Sequence, residues 1–324
     1  MKDLTAYLDT RGLTDRLSGG SRRMPIDTPA GRHFVWTKRI GNNPRLKLLL
    51  LHGGPGSTHE YLEAFDSFLP AAGIEYYYYD QLGSGNSDRP DAPELWQLDR
   101  FVDEVEQVRR TLGLTPQNFV LYGQSWGGLL AMEYALTHPG RLRGLVISNM
   151  MASAPAYTAY AESVLAPQMD PAALAEIRAL EAASDTENPR YLELLIPHHY
   201  EHHVLRMPAS EWPDPVQRGF NHINPAIYVP MQGPSELGMS PNAGLARWDR
   251  VSDLGRITVP TLVIGAEHDT MDPDHLREMA WRLPQGRYHH CPNGSHLAMY
   301  DDQEVYFSGL LAFLSDLDRA ASGH

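Results

Sequence analysis

Short apolar runs alternate with amphipathic stretches along much of this chain, and the alternation predicts its secondary structure. The apolar runs are four to six residues long, which is typical of buried β-strands. We interpret residues 34–38, 46–51, 76–79, 119–122, 145–148, 261–264 and 287–290 as strands. Since helical patterns lie between them, we predict a mostly parallel central sheet with helices on both faces.

The helical patterns are series of apolar residues that recur at the spacing of an amphipathic helix. One series, which Gly113 is placed to end, consists of Phe101, Val102, Val105, Val108 and Leu112. Another, near the C-terminus, consists of Phe307, Leu310, Leu311, Leu314 and Leu317. We predict one helix over each series.

The alternation stops after Ser148. Between residues 152 and 248 the chain is rich in proline, histidine, tryptophan and methionine and has no clear strand, whereas segments such as 171–183 favour helices. We therefore predict a helical cap at residues 152–248, inserted into an α/β core made of residues 1–151 and 249–324. Such a cap covers the carboxyl edge of the sheet, where ligands bind in open α/β sheets.

Composition excludes several classes of partner. The chain has 27 Lys and Arg against 40 Asp and Glu, a net charge of −13, and an acidic surface repels nucleic acid and anionic lipid. Its one cysteine, Cys291, forms no intrachain disulfide. Residues 1–7 lack the apolar core of a signal peptide, and the longest aliphatic run, 48–51, is too short to span a bilayer. We expect a soluble cytoplasmic enzyme.

The segment Gly123-Gln124-Ser125-Trp126-Gly127 carries the strongest chemical signal. It has the form G-x-S-x-G, with the strand pattern at 119–122 before it and a helical pattern at 128–137 after it. The turn between them is strained, so its flanking positions must be small. We predict that Ser125 is a nucleophile at a helix N-terminus; the alternative is a glycine-rich turn with an incidental serine.

A serine nucleophile needs a base, and in this arrangement the acid and then the histidine follow the serine along the chain. Asp269 comes soon after the run at 261–264 and is the predicted acid. Asp272 precedes a proline, which is typical of a helix N-cap, and Glu267 lies nearer the strand end. His296, on a glycine-containing loop after the last strand, is the predicted base.

The predicted oxyanion hole consists of two backbone N–H groups. One belongs to the residue after the nucleophile, Trp126, and the other to the His-Gly-Gly-Pro-Gly loop at 52–56. Glycines let a backbone approach a substrate oxygen closely, and we prefer Gly54 to Gly53. The loop at 80–87 also contains glycines but no P-loop lysine follows it, so we interpret it as a structural loop beside the site.

The predicted cap contains four histidines within residues 198–203. His198 and His202 are four residues apart, a spacing that can present a metal-ligand pair on a helix. No third ligand lies at a suitable spacing. We therefore predict no metal site and interpret the segment as a solvated cap helix.

Together these motifs resemble the proline iminopeptidase (prolyl aminopeptidase) family of α/β-hydrolases. The resemblance extends from about residue 30 to residue 315, and its matching segments are 52–56, 80–85, 123–128, 232–236 and 293–296. It implies an α/β-hydrolase fold, no cofactor, and release of an N-terminal proline or a similar small residue from a short peptide. It also implies that Glu236, after Pro-Ser in the cap, binds the free ammonium of the substrate, which a blocked N-terminus cannot offer.

The chain departs from the family at one position. Many members have a glutamate directly after the catalytic aspartate as a second ammonium ligand, whereas this chain has Thr270. The resemblance therefore leaves open a hydrolase of amino-acid amides with the same triad. A carboxylesterase is disfavoured because an ester pocket needs no buried anion, and a receptor without activity is disfavoured by the complete triad. The expected partner is a small substrate with a free N-terminus.

Overall fold

A single sheet of eight strands organises the computed structural model, which describes residues 4–322. The strands are β1 (Ser21–Thr28), β2 (Gly31–Ile40), β3 (Lys47–Leu51), β4 (Glu75–Asp80), β5 (Phe119–Gln124), β6 (Gly144–Ser148), β7 (Thr261–Ala266) and β8 (Gly286–Cys291). Their order in the sheet is β1-β2-β4-β3-β5-β6-β7-β8. The pairs from β4 to β8 are parallel, and β2 pairs antiparallel with both β1 and β4. The predicted mostly parallel sheet is confirmed.

The apolar pattern does not predict strand β1, because this strand is mostly polar and contains Pro25. Of its eight residues only Met24 and Ile26 are buried. An edge strand tolerates proline because one side of its backbone needs no ladder partner. Pairing with β2, and not an apolar pattern of its own, therefore defines this strand.

Helices make up most of the remaining regular structure in residues 4–322. The α-helices are α1 (Thr5–Leu8), α2 (Leu98–Thr111), α3 (Trp126–Thr137), α4 (Ala154–Tyr160), α5 (Pro171–Ala182), α6 (Pro189–Leu195), α7 (Glu201–His203), α8 (Asp214–Asn221), α9 (Pro225–Met231), α10 (Pro273–Arg282), α11 (Ala298–Asp301) and α12 (Gln303–Ser322). Short 3-10 or π segments occupy Arg16–Ser18, Glu60–Ser67, Pro93–Leu95, Ala161–Leu165, Ala166–Gln168, Ile196–Tyr200, Ala209–Glu211 and Val251–Arg256. Both predicted amphipathic helices are present, as α2 and α12. The signal-peptide expectation rests partly on residues 1–3, which lie outside the described residues.

Two apolar layers cover the faces of the sheet. Because side chains alternate along a strand, Leu49 faces one layer, which includes helices α2, α3 and α10, and Leu48 faces the other, which includes α12. Gly113 adopts a positive φ of 66° just beyond α2, as its predicted place at the helix end requires. The sheet therefore has the helices on both faces that the sequence predicts.

The regular structure between β6 and β7 consists of helical segments and an isolated bridge between Ser153 and Asp249. Next to that bridge, the N–H of Arg250 donates to the carbonyl of Ala152 at 2.8 Å. The two ends of the inserted segment therefore meet, and we call residues 152–248 the cap. Among the described helices, none has the length and apolarity that crossing a membrane requires.

Candidate active site

Ser125 lies at a sharp turn between β5 and α3, with φ = 55° and ψ = −129°. A side chain at Gly123 would collide with the carbonyl of Gly127, and one at Gly127 would collide with the carbonyl of Leu51. These two close approaches explain why glycine flanks the serine at both positions. Ser125 is thereby held at the N-terminus of α3, on the wall of a large cavity.

Asp269 and His296 come together at the ends of β7 and β8. Nδ1 of His296 lies 2.7 Å from Oδ1 of Asp269, and both side chains are buried. The hydroxyl of Thr270 lies 3.1 Å from the same ring nitrogen. Among the described residues the other ring nitrogen, Nε2, has no hydrogen-bond partner. Since His296 and Ser125 line one cavity, Nε2 is the nitrogen available to the serine or to a substrate.

The two neighbouring acids have other contacts. The carboxylate of Asp272 accepts the N–H of Asp274 at 2.9 Å at the start of α10, which confirms it as an N-cap. Glu267 is exposed and lies 3.3 Å from Nε2 of His290. Neither carboxylate contacts His296 in the described chain, whereas that of Asp269 does.

The pKa of His296 is raised above its ordinary value of 6.5. Burial alone lowers this pKa, because desolvation disfavours the charged imidazolium. The charge of Asp269 and its hydrogen bond to Nδ1 outweigh burial, and the charge of Glu236 acts in the same direction. The Asp269 carboxylate therefore makes His296 a stronger base than burial alone would allow.

Asn149 also contacts Asp269, and the motifs give no sign of it. It directly follows β6 with a φ of 52°, and its Nδ2 donates to Oδ2 of Asp269 at 2.6 Å. The signal that could have found it is its position, since β6 neighbours β7 and functional side chains gather where adjacent parallel strands end.

The loop after β3 approaches the serine closely. A Cβ on Gly53 would lie 3.1 Å from Cβ of Ser125. The N–H of Gly53 is already engaged, because it donates to the Tyr61 hydroxyl at 2.6 Å. Within residues 4–322, the N–H of Gly54 donates to no protein acceptor, and that of Trp126, at the start of α3, has no intrahelical acceptor. The geometry therefore favours Gly54 over Gly53 as the second donor.

Hydrogen bonds join three loops of the candidate site to one another. The Tyr61 hydroxyl, which accepts from Gly53, donates to Oε1 of Gln124 at 2.8 Å. Nε2 of Gln124 in turn donates to the carbonyl of His296 at 3.0 Å. The Tyr61 hydroxyl and the Gln124 amide thus link the loop at 52–56, the turn at Ser125 and the loop that contains His296.

The cap also bonds to these loops. The N–H of His296 donates to the carbonyl of His203 at 3.0 Å, and the N–H of Asn224 donates to the carbonyl of Gly56 at 2.8 Å. A Cβ on Gly56 would lie 3.0 Å from the carbonyl oxygen of Asn224, so a larger residue there would crowd the cap. The cap therefore contacts the backbone of both the loop that contains His296 and the loop at 52–56.

The loop at 80–87 is organised by the buried carboxylate of Asp80. This carboxylate accepts the N–H groups of His59 and Asn86 at 2.9 Å each. Burial raises the pKa of Asp80, but the hydrogen bond and charge of His59 lower it to about 2. Since a side chain at Gly85 would collide with the carboxylate, this glycine serves packing, which agrees with the interpretation of a structural loop.

Glu236 lies buried in the cap, on the wall of the cavity that holds Ser125 and His296. Oε1 accepts the hydroxyl of Tyr228 at 2.5 Å, and Oε2 accepts Nε2 of Gln232 at 3.1 Å. Both partners are neutral, and within residues 4–322 no lysine or arginine forms an ion pair with this carboxylate. The cavity, of about 1340 Å³, therefore contains an uncompensated buried anion together with the serine and the histidine.

Two of the cap histidines are buried and bonded to backbone, which differs from the expected solvated helix. Nε2 of His199 lies 3.0 Å from the carbonyl of Glu236, and Nδ1 of His203 lies 3.0 Å from the carbonyl of His268. Burial lowers the pKa of His199 to about 4. The described residues contain no group of three or more His, Cys, Asp or Glu side chains arranged to hold a metal ion.

Comparison with known proteins agrees with this geometry. Residues 48–303 match the alpha/beta hydrolase fold family. Proline iminopeptidases from Elizabethkingia meningoseptica and Flavobacterium johnsoniae are 55% and 54% identical, each over 91% of this chain and 98% of the relative. The crystal structure of proline iminopeptidase from Mycobacterium smegmatis matches with a TM-score of 0.77 at 30% identity, covering 93% of this chain and 100% of that one. The resemblance predicted from the motifs is confirmed: the chain belongs to the proline iminopeptidase family of α/β-hydrolases.

Proposed function

We propose that this protein is a serine aminopeptidase that releases an N-terminal proline, or a similar small residue, from short peptides. Ser125 is the nucleophile, His296 the base and Asp269 the acid that orients it. Membership of the family supports this reaction. The single observation that supports a substrate with a free N-terminus is the buried carboxylate of Glu236 on the cavity wall.

The proposed reaction uses five groups of the candidate site. Nε2 of His296 takes the proton of the Ser125 hydroxyl as its oxygen attacks the prolyl carbonyl. The oxygen of the tetrahedral intermediate accepts the N–H groups of Gly54 and Trp126. The imidazolium then gives its proton to the departing amine, and the same Nε2 activates a water that hydrolyses the prolyl ester. Asp269 stabilises the imidazolium throughout without itself taking the proton.

In this proposal Glu236 selects substrates with a free N-terminus. A prolyl ammonium carries two N–H donors, and each oxygen of Glu236 already accepts only one hydrogen bond from a neutral side chain. A charge-assisted bond in a buried site is stronger than a neutral one. Thr270 is fully buried beside the Asp269–His296 pair, so the proposed recognition rests on Glu236.

The cavity supports peptides over simple amides as substrates. Its volume of about 1340 Å³ exceeds the roughly 300–1,000 Å³ of ordinary small-ligand pockets. Cap residues provide much of its wall, including Tyr200, Tyr228 and Leu237. A leaving group larger than ammonia therefore fits beside the prolyl residue, and the proposal assigns the residues of the cap to substrate selection.

A substrate panel tests the proposal. Prolyl p-nitroanilide, prolyl amide, a Pro-Xaa dipeptide and N-acetylprolyl p-nitroanilide are compared by kcat/KM. The expected order places the free-amine anilide and dipeptide first and the acetylated substrate last. Equal rates for free and acetylated prolyl substrates would overturn the exopeptidase assignment and favour an esterase or broad amidase, while a preference for the simple amide over the dipeptide would favour an amino-acid amide hydrolase.

A further inference from the structure

We propose that Asn149 is a positioning residue of the triad. It holds Oδ2 of Asp269, so that Oδ1 of the same carboxylate stays aligned with His296. The inference rests on the proposed roles of Asp269 and His296. Nδ2 of Asn149 donates to Oδ2 of Asp269 at 2.6 Å, while Oδ1 faces Nδ1 of His296 at 2.7 Å. Asn149 and His296 thus contact different oxygens of the same carboxylate.

The two oxygens of Asp269 have different supports. Oδ1 is also reached by the N–H of Met271 at 3.1 Å and the hydroxyl of Thr270 at 3.4 Å. Among the described residues, Asn149 is the donor recorded on Oδ2. Since Asp269 is fully buried, loss of that donor would leave a charged oxygen without a partner, and unpaired buried charges are costly. The carboxylate would then rotate or change its basicity, and both changes act directly on His296.

A chain of hydroxyls determines which end of the Asn149 amide faces Asp269. The Ser148 hydroxyl donates to Oδ1 of Asn149 at 2.7 Å, so the NH₂ end must point at the carboxylate. Because Ser148 has only one hydrogen to give, the Tyr306 hydroxyl, 2.8 Å away, must donate to it. Tyr122, 2.6 Å from Tyr306, must then donate to Tyr306. Every hydrogen in this buried chain therefore points toward Asp269.

The backbone of Asn149 is held in place as well. Its φ of 52° lies in the left-handed region, where asparagine is among the few non-glycine residues found. Its N–H donates to the carbonyl of Ile264 in β7 at 2.9 Å, and Nδ2 also reaches the carbonyl of Ser295 at 3.3 Å. Asn149 therefore bonds to the strand before the acid and to the residue before His296.

Asn149→Gly and Asn149→Asp test the proposal. Glycine suits the positive φ but removes the donor, and the expected result is a loss of about 10- to 100-fold in kcat/KM for prolyl p-nitroanilide, the range of a hydrogen bond to a charged group. Asn149→Asp keeps the shape. When its new carboxyl is protonated it donates to Asp269 as the amide does, and when it ionises, two carboxylates face each other. The expected signature is a fall in rate as pH rises, absent from the wild type over the same range.

Tyr134→Phe is the matched control for lost stability. Tyr134 is buried in α3 and its hydroxyl donates to a carboxylate, that of Glu106, at 2.8 Å. This variant should lower the thermal midpoint but keep kcat/KM within about twofold and leave the pH profile unchanged. Asp269→Asn distinguishes failure of the positioning role of Asn149 from failure of the triad assignment. Its expected loss is about 10⁴-fold in kcat. If Asp269→Asn is inactive while Asn149→Gly and Asn149→Asp keep the wild-type rate and pH profile, the positioning role is wrong. If Asp269→Asn retains full activity, the triad itself is wrong.

Discussion

Replacement of Glu236 by glutamine tests the substrate class with almost no change in shape. The glutamine oxygen still accepts one of the two hydrogen bonds from Tyr228 and Gln232, so the cap should keep its structure. What disappears is the negative charge on a buried wall. Loss of one partner of a buried, hydrogen-bonded charge pair costs about 2–5 kcal/mol, and about 1.4 kcal/mol corresponds to tenfold. The expected loss in kcat/KM for prolyl p-nitroanilide is roughly 30- to 4000-fold.

The assay compares two substrates that differ in whether they carry an ammonium. Hydrolysis of p-nitrophenyl acetate needs the triad and the oxyanion hole but offers no cation to Glu236, so Glu236→Gln should change its rate little. N-acetylation of the prolyl substrate should cost the wild type about the same factor as the mutation, and the variant much less. Glu267→Gln, which removes an exposed carboxylate near the site, serves as the control for a general charge effect. The assignment of Glu236 as the ammonium ligand is refuted if the variant discriminates between free and acetylated substrate as strongly as the wild type.

Four further predictions concern the nucleophile, the pKa of His296 and the need for a metal. Ser125→Ala should leave the thermal midpoint intact and lower kcat by on the order of 10⁶-fold, and near-normal turnover would rule out Ser125 as the nucleophile. Activity should fall on acidification through a pKa above 6.5, because the neutral form of His296 is the base and its pKa is raised; a kcat/KM that stays flat from about pH 5 to 8 argues against a histidine base. In Glu236→Gln the loss of p-nitrophenyl acetate hydrolysis on acidification should occur at lower pH, because the charge of Glu236 raises the pKa of His296. EDTA should leave activity unchanged, and an EDTA-inactivated enzyme that zinc restores would contradict a metal-free mechanism.

Most of the sheet strands that the sequence predicts have an apolar signal of their own. Runs such as 119–122 and 261–264 are buried on both faces of a parallel sheet, and burial on two faces requires continuous apolar residues. Strand β1 buries only the alternate residues Met24 and Ile26 and contains Pro25, so its formation depends on β2. A pattern within one segment cannot report a partner that lies elsewhere in the chain.

Some residues of the candidate site can be predicted from the sequence and others cannot, for the same reason. Ser125, Gly54 and His296 lie in segments whose tight backbone turns require glycine within a few residues. Short sequence motifs therefore reveal them. Asn149 and Tyr61 act through side chains that meet residues far away in sequence, 120 positions on for Asn149 with Asp269. Nothing near either residue in the sequence marks such a contact. Supporting residues of this kind become visible only when the sheet brings strand ends together.

The bonds between cap and core have a consequence for engineering. The N–H of His296 donates a backbone hydrogen bond to the cap carbonyl of His203, and the carbonyl of Gly56, in the loop that contains Gly54, accepts one from the N–H of Asn224. A chimera that takes its cap from another hydrolase would lose these two attachments unless the donor cap supplies backbone groups at the same places. A change of the whole cap would therefore affect catalysis as well as substrate preference. Exchange of specificity is better sought by single substitutions on the cavity wall than by transplantation of the whole cap.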